Sequence, residues 1–266
     1  MIGWIRTLLA FSMVALATPF LLVLQFIALR TGLWSDRLVP PLWHGLVTRA
    51  VGFRIHVHGE ISEQRPLMIA SNHISWTDIM VLGSIARVHF ISKSELAGWP
   101  VIGLLARYQR TVFVERERRG QSGEQTAEIA TRLAAGDPMV LFAEGSTADG
   151  NHLLPFKSTL FGAASKAITS GAVERVFIQP VTIAYTRLHG MPMGRQHRTH
   201  AAWIGDRMLV PHILALLREG AVDVEVHFGK PVEFDASSKR KAIAAEVEAE
   251  VRAKFNAALA APRRSK

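Results

Sequence analysis

From about residue 53 onward, short apolar runs alternate with longer amphipathic segments. The short runs are rich in β-branched residues and bounded by polar or turn-forming clusters, so we predict strands at 53–58, 67–70, 88–91, 111–114, 139–142, 176–183 and 222–228. Segments 121–135 and 239–259 repeat their apolar residues at helical spacing. This alternation predicts an α/β fold with a mixed, largely parallel sheet flanked by helices. The first strand alternates apolar with polar residues and is expected at the sheet edge.

The N-terminal part of the chain has a different pattern. Residues 8–29 form an uncharged stretch of 22 residues, which as a helix is long enough to cross the hydrocarbon core of a bilayer. We therefore predict an N-terminal membrane-associated helical segment. Two alternatives remain open: Pro19 permits a kinked span or a helix pair that dips into one leaflet, and the small residues at 15 and 17 permit a cleaved signal peptide.

Segment 34–51 mixes aromatic, apolar and basic residues. That mixture suits a helix at the membrane interface and equally a helix packed on the core. The predicted domains are accordingly 1–51, a membrane anchor with an interfacial helix, and 52–266, an α/β domain.

The stretch 67–82 places a histidine and an aspartate directly after a short apolar strand. His73 is expected on a strand-to-helix turn at the carboxyl end of that strand, which is where α/β sheets bind ligands. From this turn the imidazole can reach Asp78, which would fix its tautomer and stabilise the imidazolium. In a second interpretation, Ser75 and Asp78 form a capping box and His73 is an ordinary loop residue. Both interpretations can hold together.

Composition limits the chemistry that the chain can perform. The sequence has no cysteine, which excludes disulfides, thiol nucleophiles and cysteine metal sites and permits a cytosolic active site. Its 31 lysine and arginine residues against 22 aspartate and glutamate residues give a net charge of +9. That surplus favours anionic partners such as lipid headgroups, an acidic carrier protein or coenzyme A phosphates. With two tyrosines and no glycine-rich RNA-binding signature, no nucleic-acid partner is expected.

Four sequence blocks occur in the same order as the motif blocks of a known family. Residues 72–78 read N-H-I-S-W-T-D, and the segments 112–116, 141–146 and 178–183 follow in turn. Together they resemble the N-H-x4-D signature and three later blocks of the glycerolipid acyltransferase family, of the 1-acylglycerol-3-phosphate acyltransferase type. The resemblance implies an O-acyltransferase that moves a fatty acyl group from a thioester of acyl carrier protein or coenzyme A to a hydroxyl of a membrane lyso-lipid. It implies no cofactor and no metal.

The resemblance also implies roles for individual residues. His73 is expected to take the proton of the acceptor hydroxyl while Asp78 holds its ring. Arg116 is expected to contact an anionic group of the acceptor through its planar guanidinium. The predicted substrate-binding residues are Arg116, Glu144, Gly145, Asn72 and Lys93.

The third block departs from the family pattern in a way that concerns the acceptor. The family usually reads Phe-Pro-Glu-Gly-Thr-Arg, whereas this chain reads Phe-Ala-Glu-Gly-Ser-Thr and ends on the uncharged Thr147. The block resembles the subgroup that acylates lyso-ornithine lipid, whose amino-acid headgroup has no phosphate. We therefore predict that acceptor, with lysophosphatidic acid as the alternative. Arg116 would hold the ornithine carboxylate, and Glu144 or Asp149 its ammonium.

We predict the inner (cytoplasmic) membrane as the location, with the active site facing the cytoplasm. Two other functions stay open from the residues alone. One is a serine hydrolase with Ser146 as the nucleophile, although no Gly-x-Ser-x-Gly elbow occurs in the chain. The other is a catalytically silent protein that binds membrane surfaces. His197 and His200 have a spacing found in zinc sites but lack a further obvious ligand, so no zinc site is predicted there.

Overall fold

A mixed sheet forms the centre of the molecule. The computed structural model describes residues 2–114, 122–205 and 207–260, and within these ranges the sheet has nine strands. The strands are β1 (Phe53–His58), β2 (Leu67–Ser71), β3 (His89–Lys93), β4 (Val112–Val114), β5 (Met139–Phe142), β6 (Arg175–Leu188), β7 (Met191–Pro192), β8 (Val222–Phe228) and β9 (Val232–Asp235). Seven lie in the order β1-β8-β6-β2-β5-β3-β4, and β7 and β9 each pair with β6.

Parallel pairing defines one half of this sheet. β2 lies between β6 and β5, β5 pairs with β3, and β3 pairs with β4, all in parallel. In the other half, β8 runs antiparallel to β6 and parallel to β1. The carboxyl ends of β2, β3, β4 and β5 therefore meet at one edge of the sheet, where ligands bind in folds of this class.

Helices surround the sheet. The described residues form α1 (Ile2–Thr31), α2 (Val39–Val51), α3 (Thr77–Ile85), α4 (Ile102–Tyr108), α5 (Ser122–Ala134), α6 (Gly162–Thr169), α7 (Arg195–Ala201), α8 (Leu209–Glu219) and α9 (Arg240–Ala260). Two short 3-10 helices occupy Ser94–Gly98 and Ser158–Phe161.

The predicted fold class is confirmed as a mixed, mostly parallel α/β sheet with flanking helices and an apolar N-terminal helix. The predicted strands at 139–142 and 222–228 coincide with β5 and β8, and β1 lies at the sheet edge as expected. β6 is longer than predicted and ends at Leu188. The sequence does not predict β7 and β9, because β7 is an exposed pair and β9 a short, partly exposed segment, too short to show an alternating pattern.

β2, the strand that precedes His73, is a continuous run of mostly apolar residues. All five of its residues are buried, so both faces of this interior strand are covered. A strand covered on both faces carries apolar side chains at successive positions and not at alternate ones. The burial of β2 thus gives the following turn a rigid origin.

α1 lies against the rest of the protein along its length and continues without interruption through Pro19. Near its start, Arg6 donates to main-chain oxygens at the ends of α2 and α8, each at 2.7 Å. Near its middle, Thr18 accepts a hydrogen bond from an indole of α2 at 2.9 Å. Near its end, Gln25 donates to main-chain oxygens of the segment before α2 and of α4. α1 is therefore a single packed helix, whereas the sequence also allowed a kinked span or a helix pair.

The outward side of α1 is apolar. Within the described ranges, α1 is the one helix long and apolar enough to cross a membrane, by length and composition alone. Its exposed side chains include Trp4, Ile5, Leu8, Leu9, Phe11, Leu16, Phe20, Val23 and Phe26. An exposed apolar surface of this extent is unfavourable in water and supports association with a membrane.

Candidate functional site

Asn72 ties the turn after β2 to the neighbouring strand. Its side chain is fully buried, donates to the main-chain oxygen of Ile183 at 2.9 Å and accepts the Ile183 N–H at 2.8 Å. The side chain thus continues the ladder between β2 and β6 for one more step. Asn72 was predicted to bind substrate, but in this structure both polar ends of its amide are engaged by β6.

The turn brings His73 back onto Asp78. Nδ1 of the imidazole lies 2.8 Å from Asp78 Oδ2, and the carboxylate is fully buried. Because a carboxylate only accepts, Nδ1 carries the proton and Nε2 keeps its lone pair. Nε2 has no hydrogen-bond partner among the residues that the structure describes, and the His73 side chain is 18% exposed. The basic nitrogen is therefore available to a ligand.

Asp78 is held by four donors in all. Besides the imidazole, Oδ2 accepts the N–H groups of Ile74 and Ser75 at 2.6 and 2.9 Å, and Oδ1 accepts the Tyr185 hydroxyl at 2.7 Å. The bond to the Ser75 N–H is one half of a capping box, whereas the Ser75 hydroxyl is buried without a partner in the described structure. Asp78 therefore orients the imidazole and also closes the start of α3. The N–H groups of Ile74 and Ser75 are thereby occupied and are not available to an oxyanion.

Two aromatic residues that the sequence analysis did not select complete the surroundings of His73. The Phe142 ring stacks on the imidazole, with centroids 3.9 Å apart and planes 15° from parallel. The Tyr185 hydroxyl accepts from Thr77 Oγ1 at 2.6 Å and donates to Asp78. Burial, followed by the charge of Asp78, raises the pKa of Tyr185 well above its ordinary value, so the hydroxyl remains a donor. Phe142 belongs to the third sequence block and Tyr185 lies two residues after the end of the fourth, so their positions in or near these blocks were the available signal.

The turn after β5 places Glu144 inside the protein. Gly145 has a φ of +74°, a conformation that glycine adopts without strain, and its N–H donates to the last residue of β5 at 3.1 Å. The Glu144 side chain turns inward, with 1% of the residue exposed. Neither carboxyl oxygen has a hydrogen-bond partner of regular geometry within the described structure.

This burial changes the charge state of Glu144. Removal from water, followed by the charge of Asp78, raises the pKa of Glu144 to about 9. The N–H groups of His73 and Leu154 lower that pKa by a smaller amount. Glu144 is therefore neutral near pH 7 and presents no negative charge to an acceptor.

The loop after Gly145 lies against the turn that holds His73. The Ala148 N–H donates to the main-chain oxygen of His73 at 2.7 Å. The Thr147 hydroxyl donates to the main-chain oxygen of Trp203 at 2.6 Å. The position where the family pattern has an arginine is therefore taken by a side chain that secures the loop.

Asp149, in the same loop, keeps its charge. Its Oδ1 accepts the N–H groups of Asn151 and His152 at 2.8 and 2.9 Å. Burial raises the pKa of Asp149, but these two N–H groups and the side chains of the same residues outweigh that effect and hold the pKa below its ordinary value. The side chain is 35% exposed, so an ionised carboxylate lies one residue from the contact with His73.

Of the remaining predicted residues, Lys93 belongs to the same edge of the sheet. Lys93 is the last residue of β3 and is exposed. Arg116 lies outside the described residues, two positions beyond the end of β4 at Val114. The structure thus gathers His73, Asp78, Glu144 and Gly145 at one point and places Lys93 on the same edge.

Two alternatives considered from the sequence lack the expected geometry. Ser146 is exposed and makes no hydrogen bond with His73, although the structure describes both residues. His197 and His200 lie on α7, and within the described ranges no third histidine or carboxylate joins them in a metal-binding group.

Comparison with known proteins identifies the family of this chain. The Acyltransferase family model matches residues 54–184. The lyso-ornithine lipid O-acyltransferase of Brucella abortus (strain 2308) is 52% identical over 261 residues, which cover 97% of each chain. The chain belongs to the acyltransferase family. The lyso-ornithine lipid O-acyltransferase of Rhizobium meliloti (strain 1021) is 46% identical over 91% of this acyltransferase and 83% of the relative.

A solved structure shares the fold of this acyltransferase. The crystal structure of the 1-acyl-sn-glycerophosphate (LPA) acyltransferase, PlsC, from Thermotoga maritima matches with a TM-score of 0.62 and 22% identity over 99% of this chain and 100% of that one. The predicted family and the prediction of an O-acyltransferase are confirmed, and the relatives support acyl transfer to a lysolipid. Membership of this family argues against the two alternative functions, a serine hydrolase and a catalytically silent protein that binds membrane surfaces.

Proposed function

We propose that this acyltransferase esterifies the free hydroxyl of lyso-ornithine lipid and produces ornithine lipid. The observation that carries the reaction is the 2.8 Å contact between His73 Nδ1 and Asp78 at the carboxyl edge of the sheet, which leaves Nε2 free to take a proton. The acceptor is supported by the activity named for the Brucella and Rhizobium relatives. It is also supported by Thr147, which supplies no cation for a phosphate.

The chemistry follows from the orientation of His73. Nε2 takes the proton of the lipid hydroxyl while its oxygen attacks the thioester carbonyl carbon. The tetrahedral intermediate then expels the thiolate, which receives the proton back from the imidazolium. Asp78 stabilises the imidazolium between these steps, and its four donors fix its position. The acyl group passes directly from sulfur to oxygen, so no acyl-enzyme forms.

We further propose that Asp149 binds the ornithine ammonium. The sequence left Glu144 and Asp149 as candidates, and the difference between their charge states supports Asp149. Glu144 is buried and neutral near pH 7, whereas Asp149 is ionised and partly exposed. Asp149 is also adjacent to Ala148, which contacts the His73 main chain, so a headgroup at Asp149 would lie beside the base. Arg116 keeps its proposed role at the ornithine carboxylate, on the basis of the resemblance.

The membrane and the donor complete the proposal. We propose that residues 1–51 bind the inner membrane, that residues 52–266 form the catalytic domain, and that the active site faces the cytoplasm. Thioesters of acyl carrier protein or coenzyme A would reach it there from water. α2 buries Val47, Ala50 and Val51 in the same core as the sheet, so the membrane-binding part and the catalytic part share one packed interior.

The acceptor assignment is tested with purified protein and two acceptors side by side. We expect acylation of lyso-ornithine lipid at a rate well above that of lysophosphatidic acid, with either thioester donor. His73→Ala should lower both rates by roughly 100- to 10,000-fold while the far-UV circular dichroism stays unchanged. A preference for lysophosphatidic acid would replace the proposed acceptor, and a fully active, folded His73→Ala protein would remove His73 as the base.

The headgroup contact is tested in the same assay with Asp149→Asn. An amide oxygen can still accept the two loop N–H groups, but the charge is lost. We expect KM for lyso-ornithine lipid to rise roughly tenfold with little change for lysophosphatidic acid. Asp235→Asn is the matched control, because Asp235 also accepts a main-chain N–H two residues ahead, from Ser237, but lies at the end of β9. Equal KM values in the two variants would remove Asp149 from the headgroup site.

A further inference from the structure

A second cluster of polar side chains lies across the two outermost strands. His58 ends β1, and Glu225 and His227 belong to β8, which pairs with β1 in parallel. His58 Nε2 is 2.7 Å from Glu225 Oε2, and the rings of His58 and His227 stack with centroids 4.3 Å apart. Nε2 of His227 is buried without a hydrogen-bond partner in the described structure.

This cluster lies on the side of the sheet opposite the contact between Tyr185 and Asp78. His227 is directly opposite Thr182 in the register of β6 and β8, and the Thr182 hydroxyl donates to the main-chain oxygen of Val251 in α9 at 3.2 Å. Tyr185 is three residues further along β6 and therefore projects from the other face. The cluster thus takes no part in the reaction proposed for His73.

We propose that His58, Glu225 and His227 bind one divalent transition-metal ion, with Zn²⁺ as the best fit. Their candidate ligand atoms all lie within 4.8 Å of one another. Two imidazoles and one carboxylate form a ligand set that suits Zn²⁺ and related borderline metals. The absence of cysteine from the chain leaves such nitrogen and oxygen ligands as its means of holding these metals.

Small movements of the three side chains would bring their ligand atoms to metal-binding positions. Metal bonds of about 2.1 Å place tetrahedral ligand atoms about 3.4 Å apart, so rotation of the two rings out of their stack would close the site. His58 would bind through Nε2 and move its proton to Nδ1, in place of the bond to Glu225. The other carboxylate oxygen of Glu225, Oε1, lies 3.5 Å from Arg187 Nη1, which leaves Oε2 as the ligand.

A cavity of about 750 Å³ adjoins the cluster and gives the ion a route to solvent. His58 and His227 line it, together with Glu250 and Lys254 of α9. The fourth position of a tetrahedral ion would face this cavity and hold water.

The ion would join β1 to β8. β1 has β8 as its one neighbour in the sheet order, and it is followed within ten residues by the catalytic strand β2. A metal bound only to the folded protein stabilises it by mass action. We therefore infer that the metal secures the edge strand that leads into the active-site half of the sheet.

The proposal is tested on tag-free, full-length protein that has been treated with a chelator and dialysed. Titration with Zn²⁺ in a calorimeter is expected to show that one ion binds per chain. In a separate thermal unfolding measurement, Zn²⁺ at a hundredfold excess over Kd should raise Tm by about 5 °C or more. His227→Ala and His58→Ala should each weaken Zn²⁺ affinity by roughly 100-fold or more, because even indirect partners of metal ligands contribute 10- to 100-fold.

Two controls distinguish this cluster from the other histidines. His56→Ala removes a neighbouring histidine of β1 that pairs with Asp223 at 3.0 Å, and His197→Ala with His200→Ala removes the pair on α7. Both proteins should bind Zn²⁺ like the wild type. Absence of Zn²⁺ binding to the wild type, or equal affinity in the His227→Ala protein, would overturn the proposal.

A spectroscopic measurement on the wild type covers the case in which the variants do not fold. X-ray absorption of the Zn²⁺-loaded protein should show imidazole scattering from two histidines and further oxygen ligands. A shell of oxygen atoms alone would contradict the assignment.

Discussion

At the scale of single residues, the site keeps two neighbouring carboxyl groups in different states. Asp78 has four hydrogen-bond donors, which compensate for its complete burial. Glu144 has no comparable donors, and its pKa rises to about 9 under burial and the charge of Asp78. One carboxylate thus steadies His73, and the other group stays neutral so that the two do not repel each other.

The neutral state of Glu144 predicts a specific dependence of stability on pH. The folded-state pKa of about 9 lies above the ordinary value of 4.5, so the folded protein binds the extra proton between these values. The neutral Glu144 side chain contributes fully to the free energy of unfolding below about pH 4.5. This contribution is lost, by up to about 1 kcal/mol per pH unit, as the pH rises toward 9. Glu144→Gln removes this loss, so its Tm should rise relative to the wild type with increasing pH.

Thermal unfolding of both proteins at several pH values between about 5 and 9 measures the effect. Glu246→Gln on α9 is the matched control, because Glu246 is exposed. Its curve should stay parallel to that of the wild type. A parallel curve for Glu144→Gln as well would show that Glu144 is not held neutral.

At the scale of elements, α2 and α3 approach closely because a glycine faces a buried histidine. A Cβ on Gly83 would lie 2.4 Å from Cδ2 of His44. The His44 ring cannot easily yield, since Nε2 is bonded to Gln109 at 3.0 Å and Nδ1 lies 3.3 Å from the sulfur of Met80. Burial lowers the pKa of His44 to about 4 despite the bond to Gln109, so the ring is neutral in this contact.

Gly83→Ala is therefore expected to destabilise the protein through overpacking. The added methyl group should cost about 1–3 kcal/mol in the free energy of unfolding. Gly98→Ala is the control, because a Cβ there has no heavy atom within 4 Å, and its effect should stay within about 0.5 kcal/mol. Differential scanning calorimetry compares the two proteins, and equal Tm values would mean that α2 and α3 can separate at little cost.

At the scale of the whole molecule, α1 joins the apolar surface to the catalytic domain. Arg6 binds the last main-chain oxygens of α2 and α8, where a cation is also favoured by the helix dipoles. Arg6, which precedes the uncharged stretch 8–29, is thus bound to protein. Because Thr18 and Gln25 add contacts further along, the exposed apolar side of α1 has a fixed orientation relative to the site.

Membrane binding through this side is tested with Leu16→Ser and Phe20→Ser together. Both residues are well exposed, and burial of each in lipid is worth about 1.5–3 kcal/mol, so the pair should weaken vesicle binding by roughly 100-fold or more. Sedimentation with vesicles of phosphatidylglycerol and phosphatidylethanolamine measures the bound fraction. Val57→Ser removes an exposed apolar residue of β1 and should bind like the wild type. Unchanged binding of the double variant would mean that another surface meets the lipid.

Features that depend on nearby residues could be read from the sequence. β5 and β8 begin and end where the apolar runs do, and His73 meets Asp78 because the chain turns within the four residues that separate them. The ordered blocks indicated the family, and the departure at Thr147 indicated the acceptor subgroup. Such features depend on periodicity and spacing, which a chain expresses locally.

Only the tertiary structure decided which groups are charged and which distant residues meet. Glu144 is neutral because surrounding elements remove water from it, and Asn72 bonds to a strand 111 residues away. His58 and Glu225 are 167 residues apart and meet because β1 pairs with β8 in parallel. Burial and strand order arise from the packing of the whole chain, and no local pattern of residues records them.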